Sequence, residues 1–139
     1  MKATQLLPLL LAGLGVSGCH DLIHGKAEAE PKVALFHQQL NDGRYDEIYA
    51  TAGAPFREAI PREKATALFA AIIRKLGPET DCTLANWNVR VAHGTTTVVL
   101  LEETTFESGK GRETFTFRVS GADVELVGYN IDSADMLLK

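Results

Sequence analysis

Four histidines, two cysteines and a scatter of carboxylates are the side chains of this 139-residue chain best suited to chemistry. His20 and His24 stand four residues apart, which would bring two imidazoles to one helix face and within reach of one metal ion. That holds only in a helical segment; in the polar stretch around them a solvated pair is expected. His93 precedes Gly94 in a turn. His37 lies beside an apolar stripe and reads as a packed, hydrogen-bonded imidazole rather than a base. Cys82 reads as a buried thiol acting as a small apolar residue, with no base or cation recognisable beside it. The chain has no P-loop, zinc motif, nucleophile elbow or dinucleotide fingerprint. No catalytic residue, metal site or cofactor is therefore expected.

The other cysteine carries a clearer signal. Lys2 supplies a positive start, and Leu6 to Val16 is an apolar run too short to span a bilayer as a helix. Val16-Ser17-Gly18-Cys19 follows, and resembles the lipobox of bacterial lipoproteins. The resemblance implies that residues 1–18 are a signal peptide and that Cys19 is lipidated. More than one acyl chain on that sulfur would anchor the protein stably to a membrane. His20 stands where a sorting aspartate would stand, which implies an outer-membrane lipoprotein facing the periplasm of the cell envelope. Residues 19–30 then read as a flexible tether, and residues 31–139 as one domain. Without Lys2, 13 basic residues face 18 acidic ones, a net −5. Nothing in that balance favours nucleic acid.

Three helices are expected in the domain. The first starts at Pro31, carries Val33, Phe36, His37 and Leu40 at helical spacing, and stops at Asn41-Asp42-Gly43. A short one covers Arg44 to Ala52. The clearest runs from Pro61 to Leu76, with cations in its last turn and Gly77 beyond it. After Pro78 the hydrophobic period drops from 3.6 to 2. Strands are expected over Thr83 to Ala92, Thr95 to Phe106, Arg112 to Ser120 and Val124 to Ile131. Their short connections make an antiparallel meander, so the fold class is α+β.

The turns suggest registers. Two-residue turns at His93-Gly94 and Gly121-Ala122 place Val89 against Val98, Trp87 against Leu100, Phe117 against Leu126 and Arg118 against Glu125. A five-residue turn over Glu107 to Gly111 places Leu101 against Phe117. One face then carries Val99, Leu101, Phe115, Phe117, Val119, Val124 and Leu126, and is expected under the helices. The other carries Trp87, Val89, Val91, Val98, Leu100, Val127 and Tyr129 with Glu102, Thr116, Arg118 and Glu125. An apolar set of that size on a free face would meet a second subunit, a partner or a ligand. The candidate partner or ligand face is therefore Trp87, Val89, Val98, Leu100, Glu102, Arg118, Val127 and Tyr129. His37, Tyr45 and Tyr49 form a candidate cleft between helices and sheet.

Helices followed by a meander of long strands are similar to the cystatin-like, nuclear transport factor two-like cone fold. The likeness rests on Gly43-Arg44-Tyr45-Asp46-Glu47-Ile48-Tyr49, on the Phe56 to Gly77 helix, and on the strands from Trp87 onward. It implies a sheet used to dimerise or to line a pocket. Some members of the superfamily are ketosteroid isomerases, which suggests proton transfer with Glu102, Glu103, Glu125, Tyr45, Tyr49, Tyr129 or Asp132. A carboxylate paired with an arginine such as Arg118 is a poor base, and fold alone does not transfer chemistry. The expectation is a membrane-held, non-catalytic binding or assembly module, as a homodimer or with a partner on the sheet. The alternative is a periplasmic domain holding a small apolar ligand in a cleft.

Overall fold

The computed structural model describes residues 18 to 139, with side chains from Ile23 onward. Residues 1 to 17, nearly all of the expected signal peptide, and the side chain of Cys19 lie outside the described residues. Helices α1 (Gly18–Asn41), α2 (Tyr45–Thr51), α3 (Ala54–Ala59) and α4 (Arg62–Leu76) come first. Strands β1 (Glu79–Ala92), β2 (Thr95–Phe106), β3 (Gly109–Ser120) and β4 (Asp123–Asp132) follow, and α5 (Ala134–Leu138) ends the chain. The sheet is antiparallel and runs in the order β1-β2-β3-β4. The fold is α+β, with the helices against one face of an open four-stranded sheet.

The largest difference from the sequence reading is α1. The stretch expected to be a flexible tether over residues 19–30 is helical, and Pro31 sits inside the helix instead of opening it. An internal proline removes a backbone donor and costs about 3 kcal/mol. Packing offsets it here. Ala29 is fully buried and Val33 nearly so, on the side that meets the core. At Gly25 an added Cβ would lie 3.1 Å from Thr96 and 3.3 Å from Val98, so the helix rests closely on the sheet. The short helices α3 and α5 also lie outside the three expected.

Helix ends follow their residues more closely. Gly43, at φ +70, ends α1, and Gly77, at φ +76, ends α4. Both positions favour glycine, whose missing Cβ removes the left-handed penalty. The β1–β2 turn is built on His93 and Gly94, both at positive φ, the conformation a tight two-residue hairpin needs.

The register differs at one turn. The pairs Val89 with Val98 and Trp87 with Leu100 are present, as are Phe117 with Leu126 and Arg118 with Glu125. The β2–β3 connection, however, is a two-residue turn at Glu107 and Ser108, so Phe106 pairs with Gly109. Leu101 lies opposite Thr114, and Phe117 opposite Val98. Relative to the expectation β2 has slipped by three residues, an odd number, so its faces are exchanged. Gly109 and Gly111, expected in the turn, are strand residues. A Cβ on Gly109 would come within 2.9 Å of Leu76 and Asp135, and one on Gly111 within 3.1 Å of Ile131. These glycines let neighbouring side chains close over the sheet.

The slip puts Val98, Leu100 and Phe106 of β2 together with Phe115, Phe117 and Val119 of β3 beneath the helices. Val99 and Leu101, expected in the core, lie on the opposite face beside Thr97, Thr114 and Thr116. The core is knitted by aromatic rings: Phe36 of α1 packs edge-on against Phe69 of α4 at 5.6 Å and Phe115 at 5.0 Å.

Candidate functional site

A carboxylate lies in the middle of that core. Along β3 the buried positions read Gly111, Glu113, Phe115, Phe117 and Val119. Glu113 is fully buried and accepts three hydrogen bonds. Tyr129 donates to Oε1 at 2.6 Å, Thr104 to Oε2 at 2.5 Å, and His37 Nε2 meets Oε2 at 2.7 Å. Four elements converge on it: α1 supplies His37, β2 Thr104, β3 Glu113 and β4 Tyr129. Burial, together with the Glu113 charge, pushes the Tyr129 phenol well above its usual value, which keeps it a donor. Thr104 can only donate to a carboxylate. The third contact therefore has His37 donating from Nε2.

Beside this network a groove of about 650 Å³ runs between α1 and the first half of β1. Val33, Ala34, His37, Gln38 and Asn41 line it from one helical face, and Glu79, Thr80, Asp81, Cys82 and Leu84 from the strand. Asn41 closes one end by exchanging two hydrogen bonds with the backbone of Glu79, at 3.1 and 2.8 Å. Glu102 reaches the groove from β2. A bulge near Ala85 lets the start of β1 follow α1, while Trp87 and Val89 keep their pairing with β2.

Two side chains more than nine-tenths buried present a free polar atom there. Glu102, 4% exposed, has one partner, the Cys82 thiol at 3.3 Å from Oε2. Oε1 has none among the described residues. His37, 3% exposed, spends Nε2 on Glu113 and has no partner at Nδ1. Neither atom is sealed from solvent, since the only enclosed, unsatisfied side-chain atom among the described residues is Arg44 Nε. Burial pushes the Cys82 thiol up to about 12, and the carboxylates of Glu102 and Glu113 add to it. The thiol is thus a poor nucleophile and a committed donor. Burial likewise raises the Glu102 carboxyl above its ordinary value; the thiol hydrogen bond and His37 act against it, while Glu30 and Glu113 add to it. No group of three His, Cys, Asp or Glu side chains among the described residues is placed to hold a metal ion.

The residues expected on one free face are divided. Val98 and Leu100 are fully buried in the core, a direct result of the β2 slip. Glu102 lines the groove, and Tyr129 holds Glu113. Val89 is half-buried beneath the Gly25 turn of α1. Trp87 lies on the helix side, 43% exposed, with Lys26 5.7 Å from its ring centroid. Arg118 pairs with Glu125 at 2.6 Å on the opposite face. Val127 is the bulged residue of β4 and packs near Gly53. The expected cleft also separates. His37 is in the groove, while Tyr45 packs towards Phe69 and Tyr49 donates to the carbonyl of Ile60. Glu113, Thr104 and Cys82 were not anticipated as a cluster. Their signal was a polar residue in the apolar phase of two adjacent strands, Glu102 and Thr104 between Leu100 and Phe106, and Glu113 before Phe115.

No protein-family model matches the chain, and no curated protein matches it either. No helix among the described residues is long and apolar enough to cross a membrane.

Proposed function

We propose that this chain is a lipid-anchored domain of the bacterial envelope that binds a small ligand non-catalytically in the groove between α1 and β1. The observation that carries the ligand reading is the pair of nearly buried side chains, His37 and Glu102, that each leave one polar atom unpaired at a groove of about 650 Å³. Both atoms reach solvent only through the groove, where a ligand can replace their water contacts. The volume falls in the range of small-molecule sites.

The cystatin-like, nuclear transport factor two-like cone fold is the family reading that the helices and four-stranded meander support best. Placement at the outer membrane facing the periplasm rests on the lipobox-like Val16-Ser17-Gly18-Cys19 and on His20. The homodimer reading has weaker support, since the bare sheet face offers only Val99 and Leu101 among threonines, asparagines, Arg90 and the ion-paired Arg112 and Arg118.

Two measurements test the proposal. Cys19→Ala should abolish palmitate labelling and move the protein from the membrane to the soluble periplasmic fraction; unchanged fractionation would remove the anchor. For the groove, methyl NMR of the full chain in detergent should show a ligand from a mixed panel of amines, alcohols and carboxylates shifting Val33 and Leu84. A panel that leaves both residues unmoved counts against the ligand reading.

A further inference from the structure

The groove contains acceptors in excess of donors. His37 spends Nε2 on Glu113 and leaves Nδ1 without a partner among the described residues. Glu102 Oε1 is a free carboxylate oxygen, and its partner oxygen receives only a thiol proton, a weak donor. The thiol cannot turn to a ligand without abandoning Glu102. Among the acidic residues that line the groove, Glu30 and Asp42 are ion-paired with Lys26 and Arg44. Glu79, Asp81 and Glu102 make no salt bridge among the described residues, and no lysine or arginine lines the groove. Val33 and Leu84 supply apolar wall between these groups.

We infer that the ligand of the groove is an organic cation rich in N–H donors: a primary ammonium on a short apolar chain, held on Glu102 Oε1 near the rim carboxylates Glu79 and Asp81. The inference rests on the groove being a ligand site. An ammonium brings three donors and one charge, which matches the free oxygen of Glu102 and the uncompensated carboxylates at the rim. A carboxylate or phosphate ligand would face repulsion from Glu102 and find no lysine or arginine to meet it. A neutral alcohol would satisfy the acceptors but leave the charge of Glu102 without a partner. Charge-assisted hydrogen bonds are about twice as strong as neutral ones, so the ammonium is favoured.

The test uses the full chain in detergent and three five-carbon probes: 1,5-diaminopentane, 1,5-pentanediol and glutarate. Calorimetry should show the diamine binding at least tenfold more tightly than the other two, with shifts at the Val33 and Leu84 methyls. Glu102→Gln keeps the shape and removes the charge, and should weaken diamine binding about tenfold or more. Glu103→Gln, on the opposite face, should leave it unchanged. Should Glu102→Gln fail to fold, Asp81→Asn at the exposed rim should still weaken binding several-fold. Tighter groove binding by pentanediol or glutarate would overturn the cation inference while leaving the ligand-binding reading intact. Zinc chloride shifting the same methyls at lower concentration than the diamine would overturn it in favour of a metal. If no probe of any charge binds there, the inference falls, and the mixed panel then decides the broader reading.

Discussion

Glu113 is costly to bury and is held by three donors, so its removal has a defined consequence. Glu113→Gln replaces one acceptor oxygen with an amide that must face Thr104 and His37, or else Tyr129, donor to donor. Destabilisation of about 3 kcal/mol is expected in urea unfolding, and a loss under 1 kcal/mol would show that the donors are not committed to it. The pH response is set by groups whose neutral forms are protected. Burial lifts Cys82 from 9.0 to about 12 and Tyr129 well above 10.0. Both pKa values are raised on folding, so the stability they contribute is whole below the ordinary values and is lost as pH climbs towards the folded ones. Stability should therefore fall from about pH 9 upwards. Cys82→Ser does not titrate in that window and should flatten the slope between about pH 9 and 12; an unaltered slope would assign the loss elsewhere. At this scale the sequence showed residue types but not their company. His37 reads as packed and hydrogen-bonded from its helical spacing alone, but its partner lies 76 residues away.

The β2–β3 hairpin shows how one element decides a surface. Glu107-Ser108-Gly109-Lys110-Gly111 holds two glycines, and glycine ordinarily signals a turn. Both are needed in the strand, where Leu76, Asp135 and Ile131 occupy the space of a side chain. Those neighbours come from α4, α5 and β4, so local sequence cannot reveal them. The consequence is testable by a matched pair. Val98→Glu should cost about 3–5 kcal/mol or more, by putting an unpaired charge into the core. Val99→Glu, one residue along and on the opposite face, should change stability by about 1 kcal/mol or less. Thermal unfolding followed by circular dichroism distinguishes them, and equal losses would restore the five-residue turn. The other turns were legible because the residues themselves demand the geometry: His93-Gly94 takes positive φ at both positions.

At the scale of the whole molecule α1 is the long brace. It reaches all four strands and carries His37 to the groove, with Ala29 and Gly25 packed further towards its N-terminus. If residues 20 to 30 were a tether, their removal would be silent. Deleting them should instead expose Val89 and Val98 and lower stability by about 2 kcal/mol, on the scale of one buried aliphatic side chain. Unchanged melting would return the segment to the role of a linker. The change from helical to alternating hydrophobic rhythm after Pro78 determined the α+β class, the strand count and the meander, because local periodicity and short connections leave few other arrangements. Helix ends and two of the three hairpin registers followed for the same reason, being set by neighbouring residues. Which face of β2 is buried, the helical state of residues 23–30 and the meeting of His37 with Glu113 and Glu102 were decided only by tertiary structure. Each depends on atoms supplied by distant segments, and a burial energy that exists only when those segments pack together can override a polar stretch, an internal proline or a pair of glycines.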